Sequence, residues 1–291
     1  MVNYNYYFQI AGLTVGIQSP VPVAFRPCME PFQIASAETV DLCYEIRWLE
    51  QQPDMEKIAA KPEFSIWKKD GCFIREKSIW GAGQTWSVFQ KPTEVKGKSI
   101  LYIPRGLLGN EELFAKFDLF RLLAVEEDLL FHDAFILHSS FVAWQGWGIL
   151  FTAPSGTGKS TQADLWKQYE QADIYNGDRT IIRKKEQGYY GFGSHYAGSS
   201  GIYRNASAPI RAIVVLTQAP ENRMEPLRGR QAFAPLFRET LMNTWNPAYM
   251  EHMTDLILDA VESIPVYHLA CRPDADAVKL VKETVFPREE P

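Results

Sequence analysis

Alternation of apolar and polar residues is the main pattern in the first hundred residues of the chain. The segments that alternate most clearly are residues 6–17, 41–49, 85–90 and 98–103. A further pair, Phe64–Trp67 and Cys72–Arg75, flanks Asp70-Gly71, a dipeptide typical of β-hairpin turns. Because side chains along a strand point to opposite faces in turn, this pattern indicates half-buried strands. We therefore predict a β-rich N-terminal region over residues 1–110 and expect it to select a substrate or partner.

Helical and strand patterns follow one another after residue 110. Apolar residues at helical spacing predict an amphipathic helix over Glu111–Phe131. Two apolar runs, Ala134–Trp144 and Trp147–Thr152, are separated only by Gln145-Gly146 and predict an antiparallel hairpin. The later predicted strands fall within residues 173–182, 188–193, 210–216 and 266–271, and the helices cover 160–169, 232–243, 248–262 and 275–284. Residues 111–291 are thus predicted to form an α/β (α+β) domain around a mixed sheet.

A glycine-rich loop connects the second strand of the predicted hairpin to the next helix. In such a loop, backbone N–H groups bind phosphate, a lysine adds positive charge and a hydroxyl reaches Mg2+. The residues that we expect to bind phosphate are Ala153, Pro154, Ser155, Gly156, Thr157, Gly158, Lys159, Ser160 and Thr161. Ala153 departs from the pattern G-x-x-x-x-G-K-[ST], which begins with glycine. A plain glycine-rich turn at the start of a helix is the alternative interpretation.

Two further residues are candidates for catalysis beside this loop. Asp178 follows Lys159 by 19 residues, at the corner after the next predicted strand. The rule that ligands bind at the carboxyl ends of strands in open α/β sheets places Asp178 opposite the loop, as base or metal ligand. Asn176-Gly-Asp178 is also ordinary turn chemistry. His138 lies on the strand before the loop strand, where a core histidine is the alternative to a catalytic one.

Several polar residues of the following segment are weaker candidates. A glycine- and serine-rich loop around His195–Gly201 could close on a substrate or serve as an exposed linker. Substrate or phosphate contacts are predicted for Arg179, Ser199, Ser200, Arg204 and Arg211. For Arg179 a surface ion pair is an equal alternative, and we expect His132, His252 and His268 to be structural.

Composition excludes several other classes of protein. A net charge of -5 at pH 7 does not favour binding to nucleic acid or to acidic membranes. The chain shows neither a signal-peptide pattern nor an apolar run of membrane-spanning length, so we expect a cytoplasmic location. The 4 cysteines lack C-x-x-C spacing, and we expect neither a metal site nor a disulfide framework from them.

Residues 130–220 resemble the C-terminal domain of HPr kinase/phosphorylase and, more closely, the bacterial HPr-kinase-like proteins. The family loop G-x-S-G-x-G-K-S is matched by Ala153–Ser160, apart from its first glycine. A family histidine with a glycine eight residues later is matched by His138 and Gly146. The family's Asp-Asp-Arg motif is matched by Gly177–Arg179, in which Gly177 replaces the first acid. The N-terminal region does not resemble that of the HPr enzymes.

The resemblance implies a fold shared with phosphoenolpyruvate carboxykinase, in which an antiparallel strand precedes the strand of the phosphate loop (P-loop). It implies ATP and Mg2+ as cofactors and phosphorylation of a serine hydroxyl. Lys159, Asp178 and His138 would then be catalytic, and Ser160 and Asp178 would hold Mg2+. Hexamers occur among the HPr enzymes, so the resemblance is also compatible with a homo-oligomer.

The sequence therefore supports two main hypotheses. The first is an ATP- and Mg2+-dependent kinase that phosphorylates a serine on a small protein, a peptide or the free amino acid. The second is a nucleotide-binding regulatory module without catalysis that gates a partner protein, which the missing second acid favours. A carboxykinase-type enzyme acting on a small acid fits less well, because the chain is short and has no clear lysine–histidine metal pair.

Overall fold

The chain forms two compact units in the computed structural model, Met1–Phe131 and His132–Pro291. The structure describes residues 3–51, 54–61, 64–81, 84–108, 119–196 and 198–287. The division between the units falls after the boundary that the sequence predicts at residue 110. Within the described residues, the helices are all too short or too polar to cross a lipid bilayer.

The first unit is built on a nine-stranded mixed sheet with the order β3-β1-β2-β4-β9-β8-β7-β6-β5. Its strands are β1 (Tyr4–Ile10), β2 (Leu13–Ser19), β3 (Gln33–Ile34), β4 (Leu42–Trp48), β5 (Glu56–Ala60), β6 (Ser65–Lys69), β7 (Cys72–Gly81), β8 (Gln84–Pro92) and β9 (Lys98–Ile103). A 3₁₀ helix covers Pro27–Phe32, and α1 covers Arg105–Leu108. The pairs β2–β4 and β4–β9 are parallel, and the other neighbours are antiparallel.

Turn chemistry sets the hairpins of this unit. Asp70 and Gly71 both have positive φ angles and join β6 to β7, which confirms the predicted Asp-Gly hairpin. The alternating segment 6–17 is two strands rather than one, because Ala11 and Gly12 also adopt positive φ and reverse the chain. The sequence at this point has no typical turn dipeptide such as Asp-Gly, so the alternating pattern did not indicate the turn.

The helix predicted over Glu111–Phe131 is wrong for the part that the structure describes. Residues 109–118 lie outside the described residues, and two short helices follow, α2 (Leu119–Leu122) and α3 (Val125–Leu130). They are separated at Ala124, whose N–H donates to Oε1 of Gln90 at 2.6 Å and not to a backbone carbonyl of a continuous helix. The part of the apolar pattern between Leu119 and Leu129 is therefore shared by two helices.

The second unit contains an eight-stranded mixed sheet. Its strands are β10 (Ala134–Trp144), β11 (Trp147–Thr152), β12 (Asp173–Asn176), β13 (Arg179–Lys185), β14 (Gly188–Phe192), β15 (Ser207–Gln218), β16 (Arg223–Leu227) and β17 (Val266–Cys271). Its helices are α4 (Lys159–Glu170), α5 (Arg230–Glu239), α6 (Pro247–Ser263) and α7 (Ala275–Val285), and a 3₁₀ turn covers Gly198–Ser200. The order is β11-β10-β13-β14-β15-β17-β16, with β12 also paired to β10.

The hairpin that leads into the glycine-rich loop is present as predicted. β10 and β11 are antiparallel, and Gln145 and Gly146 form their turn with positive φ angles of 49° and 82°. On its other side β11 pairs in parallel with β15. Beneath the loop helix, Phe151 of β11 and Trp166 of α4 are fully buried in one apolar core with residues of β15, β17 and α7. The sheet is therefore mixed, as the α/β (α+β) prediction required.

Candidate active site

The glycine-rich loop follows β11 directly and ends where α4 begins. Gly156 and Gly158 have φ angles of 81° and 114°, a region that side chains disfavour, and an added Cβ at either position would meet no described residue within 4 Å. Backbone geometry therefore requires these two glycines. Ala153 is not among the residues with positive φ and is buried in the core below the loop. This explains why the first glycine of the pattern can be replaced by alanine.

Lys159 is the first residue of α4 and folds back over the loop. Its Nζ donates to the carbonyl oxygens of Ala153 at 2.8 Å and Pro154 at 3.2 Å. Burial lowers the pKa of Lys159, and the carboxylates of Glu239 and Asp178 act in the opposite direction by favouring the charged amine. Ser160 and Thr161 follow in the first turn and are exposed. The first α-helical bond runs from Gln162 N to Gly158 O, so the preceding amides are at the open end of the helix.

A cavity of about 350 Å³ lies beside the loop. Its walls are the loop, the first turn of α4 and the ends of β15 and β17. Gln218 faces the loop carbonyls of Gly156 and Thr157 across 3.5 Å, and Gln162 donates to the Sγ of Cys271 at 3.3 Å. The cavity thus has polar groups at its loop side and is continuous with the helix N-terminus.

Asp178 stands on a turn that Asn176 holds together. The buried side chain of Asn176 accepts from the N–H groups of Asp178 at 2.8 Å and Arg179 at 2.7 Å. Its amide nitrogen donates to the carbonyl oxygens of Ser194 at 2.9 Å and Tyr196 at 3.1 Å. Asn176-Gly-Asp178 is therefore a turn, as its composition suggests, and that turn presents Asp178 at the surface of the sheet.

The sequence argument that placed Asp178 opposite the loop is wrong in its premise. The rule applies to parallel strands, whereas β12 and β13 both pair antiparallel with β10. Asp178 nevertheless reaches this region because the turn between β12 and β13 lies against the middle of β10. There Ser139 N donates to the carbonyl of Asp178 at 3.0 Å, and the next residue, Ser140, donates from its hydroxyl to the carbonyl of Lys159 at 2.9 Å.

His138 lies between two carboxylates. Its Nε2 is 3.6 Å from Oδ1 of Asp178, and its Nδ1 is 3.0 Å from Oε2 of Glu239. His138 is in the middle of β10, and its ring is partly exposed. Glu239, the last residue of α5, is a site residue that the sequence did not reveal. It lies 101 residues from His138, and no spacing pattern links the two.

Gly177 stands at the position of the first Asp in the Asp-Asp-Arg pattern of the HPr enzymes. A Cβ on this residue would lie 2.0 Å from Oγ and 2.6 Å from Cβ of Ser200. A Cβ on Gly198 would lie 2.6 Å from the side chain of Asp178, so the same 3₁₀ turn is close to both residues. The turn at Gly198–Ser200 therefore occupies the space that a side chain at position 177 would need.

The structure places the residues predicted to contact substrate or phosphate in three separate parts of the second unit. The Nε of Arg179 is 3.7 Å from Oδ2 of Asp178, and Ser200 Oγ accepts from the N–H of Ile202 at 3.2 Å. Arg204 forms an exposed ion pair with Asp173 at 2.8 Å. Arg211 stacks on Trp147, at the end of β11 opposite the loop. The structure thus leaves Arg211 away from the loop. The side chain of Ser199 is outside the described residues.

The fold and the site together define a mixed α/β protein with a strand, a glycine-rich loop and a helix in direct succession. A family model described as "SynChlorMet cassette protein ScmC" matches residues 120–273. Because this match spans more than half of the chain, the protein belongs to the ScmC family.

Other comparisons add little to this assignment. Among solved structures, the HPr(Ser) kinase/phosphatase from Coxiella burnetii is similar over 52% of this chain and 87% of that chain, with a TM-score of 0.30 and 12% identity. No curated protein matches the chain. Within the described residues, no group of three or more His, Cys, Asp or Glu side chains is arranged to hold a metal ion.

Proposed function

We propose that this protein is an ATP- and Mg2+-dependent kinase that transfers phosphate to a hydroxyl, most simply that of a serine. The observation that carries the proposal is the joint attachment of the loop helix and the acid to β10. Consecutive residues of this strand, Ser139 and Ser140, bind the carbonyls of Asp178 and Lys159. A phosphate-neutralising amine and a carboxylate base are thereby supported by adjacent points of one rigid strand.

The residues around the loop fit a nucleoside triphosphate. The open N-terminus of the 12-residue helix α4 and the two glycines without Cβ neighbours provide amides for phosphate oxygens. The cavity between the ends of β15 and β17 provides room beside them. Mg2+, held by the Ser160 hydroxyl, would neutralise phosphate charge. Lys159 would leave the carbonyls of Ala153 and Pro154 to meet the transferring phosphate.

Asp178 is proposed as the base of the reaction. The acceptor hydroxyl attacks the γ-phosphorus, the bond to the ADP oxygen breaks, and the hydroxyl proton passes to the Asp178 carboxylate. Nearby His138 is the second titratable group through which this proton can leave. The acceptor is proposed to be a small protein, a peptide or free serine, selected by the β-rich N-terminal unit.

Transfer of label from γ-labelled ATP tests this proposal. The purified chain is incubated with Mg2+ and with serine, serine-containing peptides or small proteins from the same cell. Asp178→Asn should lower the rate by about 100-fold or more, since a positioned base contributes roughly 10²–10⁴-fold. Asp173→Asn is the matched control, because Asp173 begins β12, the strand that leads into the Asp178 turn, but pairs with Arg204 on the surface. Unchanged transfer by Asp178→Asn would exclude the assigned role.

The second candidate is a regulatory module that binds ATP without turnover. The observation that favours it is Gly177, where an added Cβ would clash with Ser200, so that this turn has no room for a second acid. Tight ATP binding without labelled product, together with a partner that co-purifies only when nucleotide is bound, would select this alternative. A Lys159→Ala variant should lose the partner under those conditions.

A further inference from the structure

We infer that the cavity beside the glycine-rich loop binds the base of the nucleotide, and that Gln162 selects a base with an exocyclic amine, as adenine has. The inference rests on the proposed function, because it assigns the part of ATP that the loop itself does not hold. Three observations carry it: the position of the cavity, its nearly uncharged walls, and a buried oxygen of Gln162 that has no hydrogen-bond partner among the described residues.

The cavity continues directly from the loop that is proposed to bind the phosphates. Gly156, Thr157 and Gly158 belong both to the loop and to the cavity wall. A nucleotide whose phosphates meet the loop amides can therefore extend its base into the cavity. The volume of about 350 Å³ is at the low end of the range for ligand pockets, roughly 300–1,000 Å³, and suits a single base better than a larger group.

The walls of the cavity suit an uncharged ring. Apolar surface comes from Leu216, Ala219 and Pro273. Among the described residues that line the cavity, Arg272 alone is charged, and its Nε is already paired with Oδ2 of Asp274 at 2.9 Å. Burial raises the pKa of the Cys271 thiol, so this side chain also stays uncharged in neutral solution. A neutral heterocycle therefore fits these walls better than a charged group does.

Gln162 is held at the side of this cavity by the helix that follows the loop. Its N–H makes the first bond of α4, to Gly158 O at 2.9 Å, and the residue is only 2% exposed. Nε2 donates to Sγ of Cys271 at 3.3 Å, but Oε1 is buried and has no partner among the described residues. Buried polar atoms are nearly always hydrogen-bonded, and an acceptor left without a donor is destabilising. A ligand in the cavity can supply the missing donor.

An amino group on the base provides the donor that Oε1 of Gln162 lacks. Adenine carries an exocyclic amine, whereas hypoxanthine, the base of ITP, has an oxygen at the same place. Oε1 can only accept, so it would bind the amine of ATP but would face the oxygen of ITP with no proton between them. A site built to bind a polar group of its substrate rejects an analogue without that group, because its own buried atom is then left unpaired.

Calorimetric binding of ATP and of ITP, each with Mg2+, tests the inference in the wild type, Gln162→Met and Gln168→Met. Gln168 is the matched control, because it lies on the same helix but is exposed. The wild type should bind ATP about 10- to 100-fold more tightly than ITP, which is the effect of one unpaired buried polar group. In Gln162→Met, which has no amide, this preference should fall to about twofold or less. Gln168→Met should keep the wild-type preference.

A buried water is the competing explanation for Oε1 of Gln162. Nε1 of Trp166, one turn further along α4, is also buried without a partner among the described residues, so one water could serve both groups. In that case Gln162→Met would change the Tm of the nucleotide-free protein and leave the preference for ATP as it is in the wild type. Thermal unfolding of the same proteins, measured beside the binding, separates the two explanations.

The outcomes distinguish the inference from the function on which it rests. Equal binding of ATP and ITP by the wild type, tighter binding of ITP, or an unchanged preference in Gln162→Met would overturn base selection by Gln162 and leave the kinase proposal intact. The first two comparisons need no variant, so they decide even where Gln162→Met does not fold. If the preference is present and is lost in Gln162→Met, the inference holds, and a failure of labelled transfer then counts against the kinase proposal alone. Absence of any ATP binding would refute both.

Discussion

Replacing Gly177 by alanine tests why this chain lacks the second acid of the Asp-Asp-Arg pattern. Gly177 is not among the residues with positive φ, so its backbone tolerates a side chain. Among the described residues, the obstacle near it is Ser200, whose Oγ and Cβ would lie 2.0 and 2.6 Å from the new Cβ. Carbon atoms in ordinary van der Waals contact are about 3.5–4.0 Å apart, so the 3₁₀ turn must move by about 1 Å.

The cost of that movement follows from the behaviour of overpacked sites. An inserted methyl group that forces the surrounding backbone to shift destabilises a protein by about 1–3 kcal/mol. For a chain of this size, each kcal/mol corresponds to roughly 2–4 °C in Tm. We therefore expect Gly177→Ala to lower the Tm by about 2–12 °C. Gly177→Asp adds a charged group to the same space and should cost at least as much.

A double-mutant cycle with Ser200→Gly provides the assay. Removing the Ser200 side chain eliminates both short contacts, so Gly177→Ala should cost little in that background, and the coupling energy should be about 1–3 kcal/mol. Thermal and urea unfolding of the four proteins measures it. Ser200→Gly alone also loses the hydrogen bond from Ile202 N, which the cycle subtracts. An equal cost of Gly177→Ala in both backgrounds would refute the steric explanation.

Two other predictions use glycines and a buried acid. Gly158→Ala and Gly188→Ala, with φ of 114° and 112°, should lose similar stability, about 1–2 kcal/mol, but only Gly158→Ala should weaken ATP binding measured by calorimetry. Burial raises the pKa of Asp128 to about 7, so the folded chain keeps a proton that the unfolded chain releases near pH 4, and stability falls as pH rises between those values. Asp128→Asn, which can still accept from Tyr44, should therefore gain stability over the wild type between pH 5 and 8, by at most about 4 kcal/mol, in urea unfolding.

Local sequence was sufficient to predict the parts of the site that are close together in the chain. The hairpin at Gln145-Gly146, the glycines of the loop and Lys159 all follow from residues within one short segment. Most strand and helix positions in the second unit follow from periodicity in the same way. β16 was missed because Arg223–Leu227 is polar and contains a proline, so it shows neither alternation nor an apolar run.

Contacts between distant segments could not be predicted. Glu239 reaches His138 through a single backbone bridge after 101 residues of separation, and its own segment shows only an amphipathic helix. Arg204 and Arg211 looked equivalent to Arg179 in sequence, but an ion pair with Asp173 and stacking on Trp147 hold them elsewhere. Long polar side chains find their partners only in three dimensions, and charge alone does not identify them.

Although this chain has glycine in place of one acid of the Asp-Asp-Arg pattern, its candidate site still contains two carboxylates. Gly177 is excluded from carrying one by Ser200, yet Glu239 brings a carboxylate to the opposite side of His138. Asp178 and Glu239 also both act on Lys159, where each favours the charged amine against burial. Two carboxylates therefore remain near the glycine-rich loop, and His138 lies between them. Adjacent carboxylates repel each other, whereas the His138 ring between Asp178 and Glu239 keeps these two side chains apart.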